Sequence, residues 1–366
     1  MRAIAVFPGK QGSAHVVEMP EPSVNDFPDG RGVLVKVLRV GIDGTDTEIN
    51  EGSYGEAPVG SDFLVIGHEG LGRIEEVWGN VAGFTRGDLV VATVRRPGNC
   101  INCQAGESDM CLDGVYTERG IKGAHGYMAE YYADVPDFLI RIPEEHEDVA
   151  VMLEPLTVVE KPVVQAFKMQ ERMVWQPERA LITGAGTIGL LGALLLRGVH
   201  DLEVHVISRE PHDSFRAEWL KSIGAIYHTT DEVDIAKAEA ALGRIDFIME
   251  ATGVPQVIFS AMCTIGRNGV LALLGISGGN REITVPGAQI NLEMVLGNQT
   301  IFGSVNANRR YFEMGVEHFR LFEQKWPGAM QKLITHRVPF GDFHKALERR
   351  QEDIKTVLEI LEIARA

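Results

Sequence analysis

Three separated segments of the sequence each offer a side chain that can bind a metal ion. Asp43 lies in a Gly-Ile-Asp-Gly-Thr-Asp segment, His68 follows an apolar run, and Glu154 precedes a proline. One imidazole and two carboxylates, with a fourth position left for water or substrate, form the ligand set of a catalytic zinc. The chain has 11 His and 51 Asp and Glu residues, so spacing alone does not select these three, and the zinc site is a hypothesis that other motifs must support.

A glycine-rich turn follows the predicted strand 180–183 and opens an apolar helix. Its residues are Gly184, Ala185, Gly186, Thr187, Ile188 and Gly189. In this G-x-G-x-x-G pattern the first glycine permits a tight turn, the second lets the backbone approach a pyrophosphate, and the third allows close packing of helix on strand. The helix N-terminus adds unpaired N–H groups and a positive dipole. We therefore predict a dinucleotide site here rather than a merely structural turn.

The choice of dinucleotide depends on the end of the second predicted strand, 203–207, where a carboxylate normally binds the adenosine ribose. Ser208 stands at the expected position and Arg209 follows it. A guanidinium can pair with a 2′-phosphate, which the missing carboxylate no longer repels. These residues favour NADP over NAD. The alternative is that Arg209 is solvated and Glu210 binds the ribose, with NAD as cofactor.

Three of the four cysteines lie within twelve residues, at Cys100, Cys103 and Cys111. In a large chain without secretory features, this clustering favours a metal site over a disulfide framework. The alternative is that the three are small buried apolar residues. Cys263 lies in an apolar helical pattern and is predicted to belong to the core.

Composition and charge exclude several classes of protein. The chain of 366 residues is 45% hydrophobic and 23% charged, which is typical of a globular protein. Its net charge of −16 repels phosphate backbones, so we expect no nucleic-acid partner. No apolar run reaches the ~18 residues of a membrane span, and the N-terminus lacks the pattern of a signal peptide. We expect a cytoplasmic protein with no membrane partner.

The predicted secondary-structure pattern of the sequence changes near residue 155. Residues 1–150 carry short β-like runs and many glycines, as expected of a barrel-like β domain. Beyond a helical segment at 156–178, strand and helix patterns alternate, which predicts βαβ units and a buried parallel sheet. Helical patterns return at 308–325 and 341–350, before an apolar strand near 354–362.

Taken together, these motifs resemble the zinc-containing medium-chain alcohol and polyol dehydrogenases over nearly the full chain. The segments that carry the resemblance are Gly41–Asp46, Gly67–Glu69 with Gly72, Arg86–Asp88, the cysteine cluster and Gly184–Gly189. Most of the family has cysteine at the position of Asp43, and aspartate there resembles the archaeal glucose dehydrogenase branch. Segments that agree with this branch are Val94–Pro97, Glu118–Ile121, Gly123–Met128, Glu154–Leu156 and Gly303–Asn306.

The resemblance implies a fold and a domain division. It predicts an α/β chain with a Rossmann doubly wound parallel sheet and a GroES-like β-barrel domain. Residues 1–155 and 307–366 would form the catalytic, zinc-binding domain, and residues 156–306 the dinucleotide-binding domain. Relatives of this kind are dimers or tetramers, so a homo-oligomer is expected.

The resemblance also assigns the metal ligands. Asp43 and His68 would bind the catalytic zinc directly, and Glu154 would bind it directly or through water. Glu69 would contact the metal transiently or hold its water. Cys100, Cys103 and Cys111 match three of the four ligands of a structural zinc site. Proline occupies position 97, where the first cysteine belongs, so a carboxylate or water would have to complete that site, or the lobe is metal-free.

By the same resemblance, the reaction is oxidation of an aldose at C1 to an aldonolactone, with hydride transfer to NADP or NAD. Glucose is the expected substrate, with galactose as a second one. Thr45 would hydrogen-bond the reacting oxygen. Glu118, Asn306 and Glu154 would contact the sugar, and Asn306 could instead bind the nicotinamide side. Val158 stands where some relatives carry another acidic residue that contacts the sugar. The resemblance therefore does not decide whether the enzyme distinguishes sugars that are epimers at C2 or C4.

Three alternatives accompany these predictions. Glu118 could form a surface salt bridge to Arg119 or Lys122 instead of binding sugar. The chain could be a zinc-dependent dehydrogenase of polyols or simple alcohols, with an apolar pocket. It could also be a nucleotide-binding protein without catalysis, although the retained polar set argues against that: Asp43, Thr45, His68 and Glu154.

Overall fold

The computed structural model describes residues 1–27, 30–79, 81, 83–278, 282–348 and 350–360. They form two compact units, one within 1–154, 306–316 and 330–360 and the other within 155–305 and 317–329. The sequence assigned 307–366 to the first domain and Asn306 to the second. In the structure, Asn306 groups with the first unit, and 317–329, which includes the C-terminal part of the helix Arg309–Lys325, groups with the second.

The first unit is built from short strands around one apolar core. Its strands before the second unit are β1 (Arg2–Val6), β2 (His15–Glu18), β3 (Val33–Ile42), β4 (Leu64–Val65), β5 (Glu69–Val77), β6 (Leu89–Ala92), β7 (Arg95–Arg96), β8 (Thr117–Arg119), β9 (Gly123–Ala124), β10 (Tyr131–Asp134) and β11 (Leu139–Ile142). Its helices there are α1 (Gly44–Asn50) and α2 (Ile101–Gln104), and α3 (Leu153–Gln170) leads into the second unit. Short 3-10 turns join several of these elements.

The second unit alternates strand and helix, as the sequence predicts. Its elements in chain order are β12 (Arg179–Thr183), α4 (Thr187–Gly198), β13 (Glu203–Ser208), α5 (Phe215–Ser222), β14 (Ile226–Thr229), α6 (Ala238–Leu242), β15 (Phe247–Glu250), α7 (Pro255–Met262), β16 (Val270–Leu273), α8 (Gly287–Gly297) and β17 (Thr300–Gly303). The chain then continues with α9 (Arg309–Lys325), β18 (Ile334–Pro339), α10 (Phe343–Ala346) and β19 (Lys355–Glu359). The predicted last strand, near 354–362, is observed as β19; residues 361 and 362 lie outside the described residues.

Two large sheets organise the units. The first unit holds a sheet in the order β11-β6-β5-β3-β19-β18, with β10 also paired to β3. Two three-stranded sheets, β2-β1-β4 and β7-β8-β9, accompany it. Long-range antiparallel pairing of β19 with β3 places Lys355 near the end of β3, where Asp43 begins the next turn.

The sheet of the second unit is parallel throughout, in the order β14-β13-β12-β15-β16-β17. In chain order this is the doubly wound arrangement, which binds dinucleotides where the strand order reverses, here between β12 and β15. The predicted α/β fold class is therefore confirmed. No helix among the described residues is both long enough and apolar enough to span a membrane.

Candidate functional site

Asp43 and His68 meet where two strands of the barrel end. Asp43 follows β3 and caps α1, and its Oδ1 accepts hydrogen bonds from the backbone N–H of Thr45 at 2.8 Å and of Asp46 at 3.2 Å. An N-cap aspartate is stabilised by these otherwise unpaired amides. Its Oδ2 accepts a bond from the Thr45 hydroxyl at 3.1 Å and lies 3.5 Å from His68 Nε2. Local capping therefore aims one carboxylate oxygen at the imidazole.

Asp46 is a member of this site that sequence reasoning missed. Its carboxyl accepts hydrogen bonds from the backbone N–H of Gly67 at 3.0 Å and of Asp43 at 3.2 Å. His68 Nδ1 is buried and has no hydrogen-bond partner in the described part of the chain, and Asp46 Oδ1 lies 3.9 Å from it. A histidine that binds metal through one nitrogen usually donates the other N–H to a carboxylate. Asp46 is placed to become that acceptor.

Glu69 is paired with a lysine distant in sequence. Lys355 Nζ lies 2.7 and 2.6 Å from the two carboxylate oxygens of Glu69 and 3.2 Å from the Ile42 carbonyl oxygen. Both side chains are almost fully buried. A Cβ at Gly41 would lie 2.0 Å from Glu69 Oε2, so a glycine is needed there to make room for this carboxylate. The sequence assigned Glu69 a role at the metal but did not anticipate Lys355.

Glu154 begins the first turn of α3 and is buried. Ligand atoms of Asp43, His68 and Glu69 lie within 4.8 Å of one another, and this compact group does not include Glu154. Burial raises the pKa of the Glu154 carboxyl to about 8, with His68 lowering it and the charges of Glu69 and Asp43 raising it. Glu154 is therefore an electrostatic neighbour of the group.

The site holds more acidic than basic side chains. Four carboxylates, on Asp43, Asp46, Glu69 and Glu154, face the single lysine Lys355 and His68. Burial raises the pKa of Asp46 to about 7, with the Asp43 charge raising it further against the opposing effect of His68. Burial opposes the ionisation of Asp43, but the charge of His68 and its hydrogen bond outweigh burial and hold that pKa well below its usual range.

These observations fit a divalent cation at the Asp43–His68 pair. Two ligands of tetrahedral zinc, each about 2.1 Å from the ion, lie roughly 3.4 Å apart, and the Asp43 Oδ2 to His68 Nε2 distance is 3.5 Å. A cation there would neutralise the surplus of buried carboxylates. It would also leave His68 Nδ1 to donate towards Asp46. The donor set thus fits zinc with Asp43 and His68 as ligands.

Glu118 and Asn306 come together in the same unit. Asn306 Nδ2 donates to Glu118 Oε1 at 3.0 Å, and the Asn306 amide oxygen accepts from the Ala307 N–H at 2.8 Å. Glu118 is 5% exposed and pairs with Arg95, so the alternative of a surface salt bridge to Arg119 or Lys122 is wrong. Among the described residues, no hydrogen bond or ion pair joins Glu118 or Asn306 to Asp43 or His68. The carbonyl of Gly67 nevertheless packs against Gly120, two residues after Glu118.

The three clustered cysteines form a separate group in the lobe that contains α2. Their sulfur atoms lie within 4.8 Å of one another, and Cys100 Sγ is 3.9 Å from Cys111 Sγ. Tetrahedral thiolate ligands about 2.3 Å from zinc lie roughly 3.8 Å apart. Backbone N–H groups of Cys103 and Leu112 point at Cys100 Sγ, and Cys111 donates to Asp113 Oδ1 at 3.0 Å. Cys263, predicted to lie in the core, ends α7 and is half-buried.

The glycine-rich turn lies between β12 and α4, as predicted. Gly184 has φ +94°, which a side chain would strain, and a Cβ at Gly189 would lie 2.0 Å from the Gly184 carbonyl oxygen. A Cβ at Gly186 would meet nothing within 4 Å. The chain itself therefore requires the first and third glycines, whereas Gly186 leaves space that a pyrophosphate can enter.

At the end of β13, Arg209 is exposed and makes no hydrogen bond or ion pair within the described part of the chain. Glu210 is engaged within the protein. Its carboxylate accepts hydrogen bonds from the Ser208 hydroxyl and, at 2.6 Å, from Arg216 Nη1. The carboxylate that was the alternative ribose ligand is thus neutralised by Arg216, a residue that sequence reasoning missed.

A barrel unit with a buried carboxylate–imidazole site and a doubly wound unit with a dinucleotide turn define a nucleotide-dependent dehydrogenase. Two protein families match the chain: "Alcohol dehydrogenase GroES-like domain" over residues 28–144 and "Glucose dehydrogenase C-terminus" over residues 147–360. Glucose 1-dehydrogenase of Methanocella arvoryzae is 44% identical, with 98% of this chain and 99% of that protein covered. Glucose 1-dehydrogenase 2 of Vulcanisaeta moutnovskia is 40% identical over 99% of this chain and 100% of that one.

Among solved structures, Haloferax mediterranei glucose dehydrogenase in complex with NADP, Zn and gluconolactone matches with a TM-score of 0.89. That protein is 33% identical, and the match covers 98% of this chain and 99% of that one. The chain belongs to the medium-chain alcohol dehydrogenase family, in its glucose dehydrogenase branch. The predicted family is therefore confirmed. The expected homo-oligomer and cytoplasmic location stay predictions.

Proposed function

We propose that this protein is a zinc-dependent glucose 1-dehydrogenase that oxidises an aldose at C1 to the aldonolactone and passes the hydride to NADP or NAD. The observation that carries the proposal is the buried Asp43–His68 pair, on a chain that aligns end to end with glucose 1-dehydrogenases. Zinc held by this pair would lower the pKa of the C1 hydroxyl, and the nicotinamide would accept the hydride.

Residues around the Asp43–His68 pair would contact the sugar and the metal. Thr45 presents its hydroxyl 3.1 Å from Asp43 Oδ2, the oxygen that faces His68, so it can hydrogen-bond the sugar oxygen and take part in removing its proton. Glu154 lies outside the compact group of ligand atoms, which favours contact with the metal through water and direct contact with the sugar. Glu69 is held by Lys355 and adds negative charge beside the pair.

Recognition of the sugar and the nucleotide falls to other residues. Glu118 offers a buried acceptor for a sugar hydroxyl, since an unpaired buried hydroxyl costs about 1–3 kcal/mol. Asn306 donates to Glu118, so its first role is to support that carboxylate. Gly184–Gly189 would bind the pyrophosphate, with Ser208 and the free guanidinium of Arg209 at the 2′-phosphate of NADP.

Initial rates with aldoses, polyols and simple alcohols, each with NADP+ and NAD+, test this function. We expect NADPH formation with glucose, its loss on chelation, and its return when zinc is added. Turnover only with polyols or alcohols would contradict the sugar assignment but keep the metal and cofactor assignments. Tight NADPH binding without turnover of any substrate would favour a nucleotide-binding protein instead.

We also propose that the cysteine lobe holds a second, structural zinc through Cys100, Cys103, Cys111 and Asp113. The sulfur spacing fits, and Asp113 Oδ1 already accepts a hydrogen bond from the third thiol. Asp113 lies outside the compact group of sulfur atoms, so its carboxylate would have to turn toward the ion to become the fourth protein ligand. Proline at position 97 is then no obstacle, because Asp113 supplies the fourth ligand.

The number of zinc ions bound per chain tests the proposed site in the cysteine lobe directly. We expect about two zinc ions per chain in the protein as isolated, one for each of the two proposed four-position sites. Asp113→Ala should lose the lobe ion and keep the activity-linked one. Asp231→Asn, an exposed aspartate after β14, is the control and should keep both. A wild-type chain with a single zinc that only His68 variants lose would show the lobe to be metal-free.

A further inference from the structure

One carboxylate oxygen of Glu118 receives every hydrogen bond that the structure gives this side chain. Arg95 donates to Oε1 through Nε at 3.1 Å and through Nη2 at 2.9 Å, and Asn306 Nδ2 donates to the same oxygen at 3.0 Å. A guanidinium usually binds a carboxylate with two parallel hydrogen bonds, one to each oxygen. Here both N–H groups converge on Oε1, and Oε2 has no hydrogen bond within the described residues.

Arg95 is itself held firmly. It is 6% exposed, and in the β7–β8 pairing it lies directly opposite Glu118. Its Nη1 donates to the carbonyl oxygens of Ser108 and Asp109 at 3.4 and 3.3 Å, and its guanidinium stacks 3.7 Å from the centre of the Tyr116 ring. These contacts hold the guanidinium beside Glu118 from several sides, so the partner of Glu118 is itself well anchored.

A buried ion pair of this kind contributes little net stability, because desolvating both charges offsets their attraction. Its clearer consequence is geometric. A carboxylate has about four lone-pair sites, and with Oε1 saturated by three donors the remaining acceptor capacity lies on Oε2, in one fixed direction. A site that selects a hydroxyl needs such a fixed, unshared acceptor, since substrates that lack the hydroxyl then leave it unpaired.

We propose that Arg95 is a positioning residue of the sugar site, which holds Glu118 Oε1 with Asn306 so that Oε2 accepts one hydroxyl of the aldose. The proposal rests on the proposed glucose dehydrogenase function. Arg95 touches no substrate and acts only through Glu118. Neither composition nor spacing singles it out.

Arg95→Lys tests the proposal while keeping a buried positive charge. A lysine cannot reproduce the two converging N–H bonds, so we expect KM for glucose to rise about 10- to 100-fold, as for loss of a bond to a charged group. KM for NADP+ should stay within about twofold. Glu118→Gln should raise KM for glucose as well, and the double variant should be no worse than Glu118→Gln alone, because interacting residues are not additive.

Arg96→Lys is the matched control. Arg96 is the next residue, is also largely buried, and pairs with Asp134 instead of Glu118. We expect this variant to lower the melting temperature but to leave KM for glucose unchanged. A rise in KM for glucose as large as that in Arg95→Lys would overturn the positioning role, since it would show a general loss of structure.

Deoxy sugars provide a readout that a merely structural residue would not move. With 2-, 3-, 4- and 6-deoxyglucose, the wild-type chain should reject most strongly the analogue that lacks the hydroxyl bound by Oε2. In Arg95→Lys and in Glu118→Gln, the discrimination between glucose and that one analogue should be lost, while the discrimination against the other analogues should remain. Its loss in Glu118→Gln alone would overturn the role of Arg95 and leave the glucose dehydrogenase function standing. A wild-type chain that oxidises no aldose would overturn both.

Discussion

Replacing His68 with alanine is expected to abolish zinc binding at the Asp43 site and to lower kcat/KM for glucose by about three orders of magnitude. The imidazole is one of the two proposed ligands, and without it the cation would keep only Asp43 of the pair. Lewis-acid stabilisation of a developing oxyanion is worth several kcal/mol, and each 1.36 kcal/mol corresponds to about tenfold in rate. Zinc content measured together with steady-state rates checks the prediction.

The control is His344→Ala, an exposed histidine of α10 that lies outside the site. It should retain zinc and rate. Circular dichroism of both variants must show the folded state, because removing His68 leaves the buried carboxylates with fewer positive partners. A folded His68→Ala protein with full zinc and near wild-type turnover would contradict the assignment of the metal to this pair.

Gly186→Val should raise KM for NADP+ by about 100-fold or more without unfolding the protein. A Cβ there would meet no atom of the described chain within 4 Å, so we expect little loss of stability in the folded state. It would, however, occupy the space through which the backbone approaches the pyrophosphate, and displacement of a bound group by about 1 Å can cost 10²-fold in rate. Fluorescence titration with NADPH, together with thermal melting, separates the two effects.

Variants of two other glycines serve as controls for Gly186→Val. Gly189→Ala should lower the melting temperature, because its Cβ would lie 2.0 Å from the Gly184 carbonyl oxygen. Gly287→Ala, in an open position at the start of α8, should change neither property. If Gly186→Val binds NADPH as tightly as the wild type, the turn does not hold the pyrophosphate.

Much of the second unit could be predicted from sequence because its signals are local. The strand 180–183, the glycine turn and the helix after it are consecutive. Gly184 is required by its own positive φ, and Gly189 by the carbonyl oxygen of Gly184 five residues earlier. Alternating strand and helix then leaves the doubly wound sheet as the natural arrangement. Strand ends differed by a few residues, and the predicted helix at 156–178 ends at Gln170.

The candidate site shows the limit of the same reasoning. Asp43 and His68 carry recognisable motifs, and the resemblance named them. Asp46 appeared only as the end of the Gly41–Asp46 segment and was given no role; its position beside His68 comes from the pairing of β3 with β5. Asp113 became a candidate ligand only when the lobe brought its carboxylate to Cys111.

By itself the sequence determined the fold class and the dinucleotide turn, because these are expressed in residue types at short spacings. Its motifs together also carried the family resemblance, which named the candidate metal ligands. Only the tertiary structure decided which charges meet: Lys355 reaches Glu69 across 286 positions, and Asn306 reaches Glu118 across 188. Such pairs leave no local periodicity, since a buried carboxylate needs a partner in space and any element that the fold brings alongside can supply it.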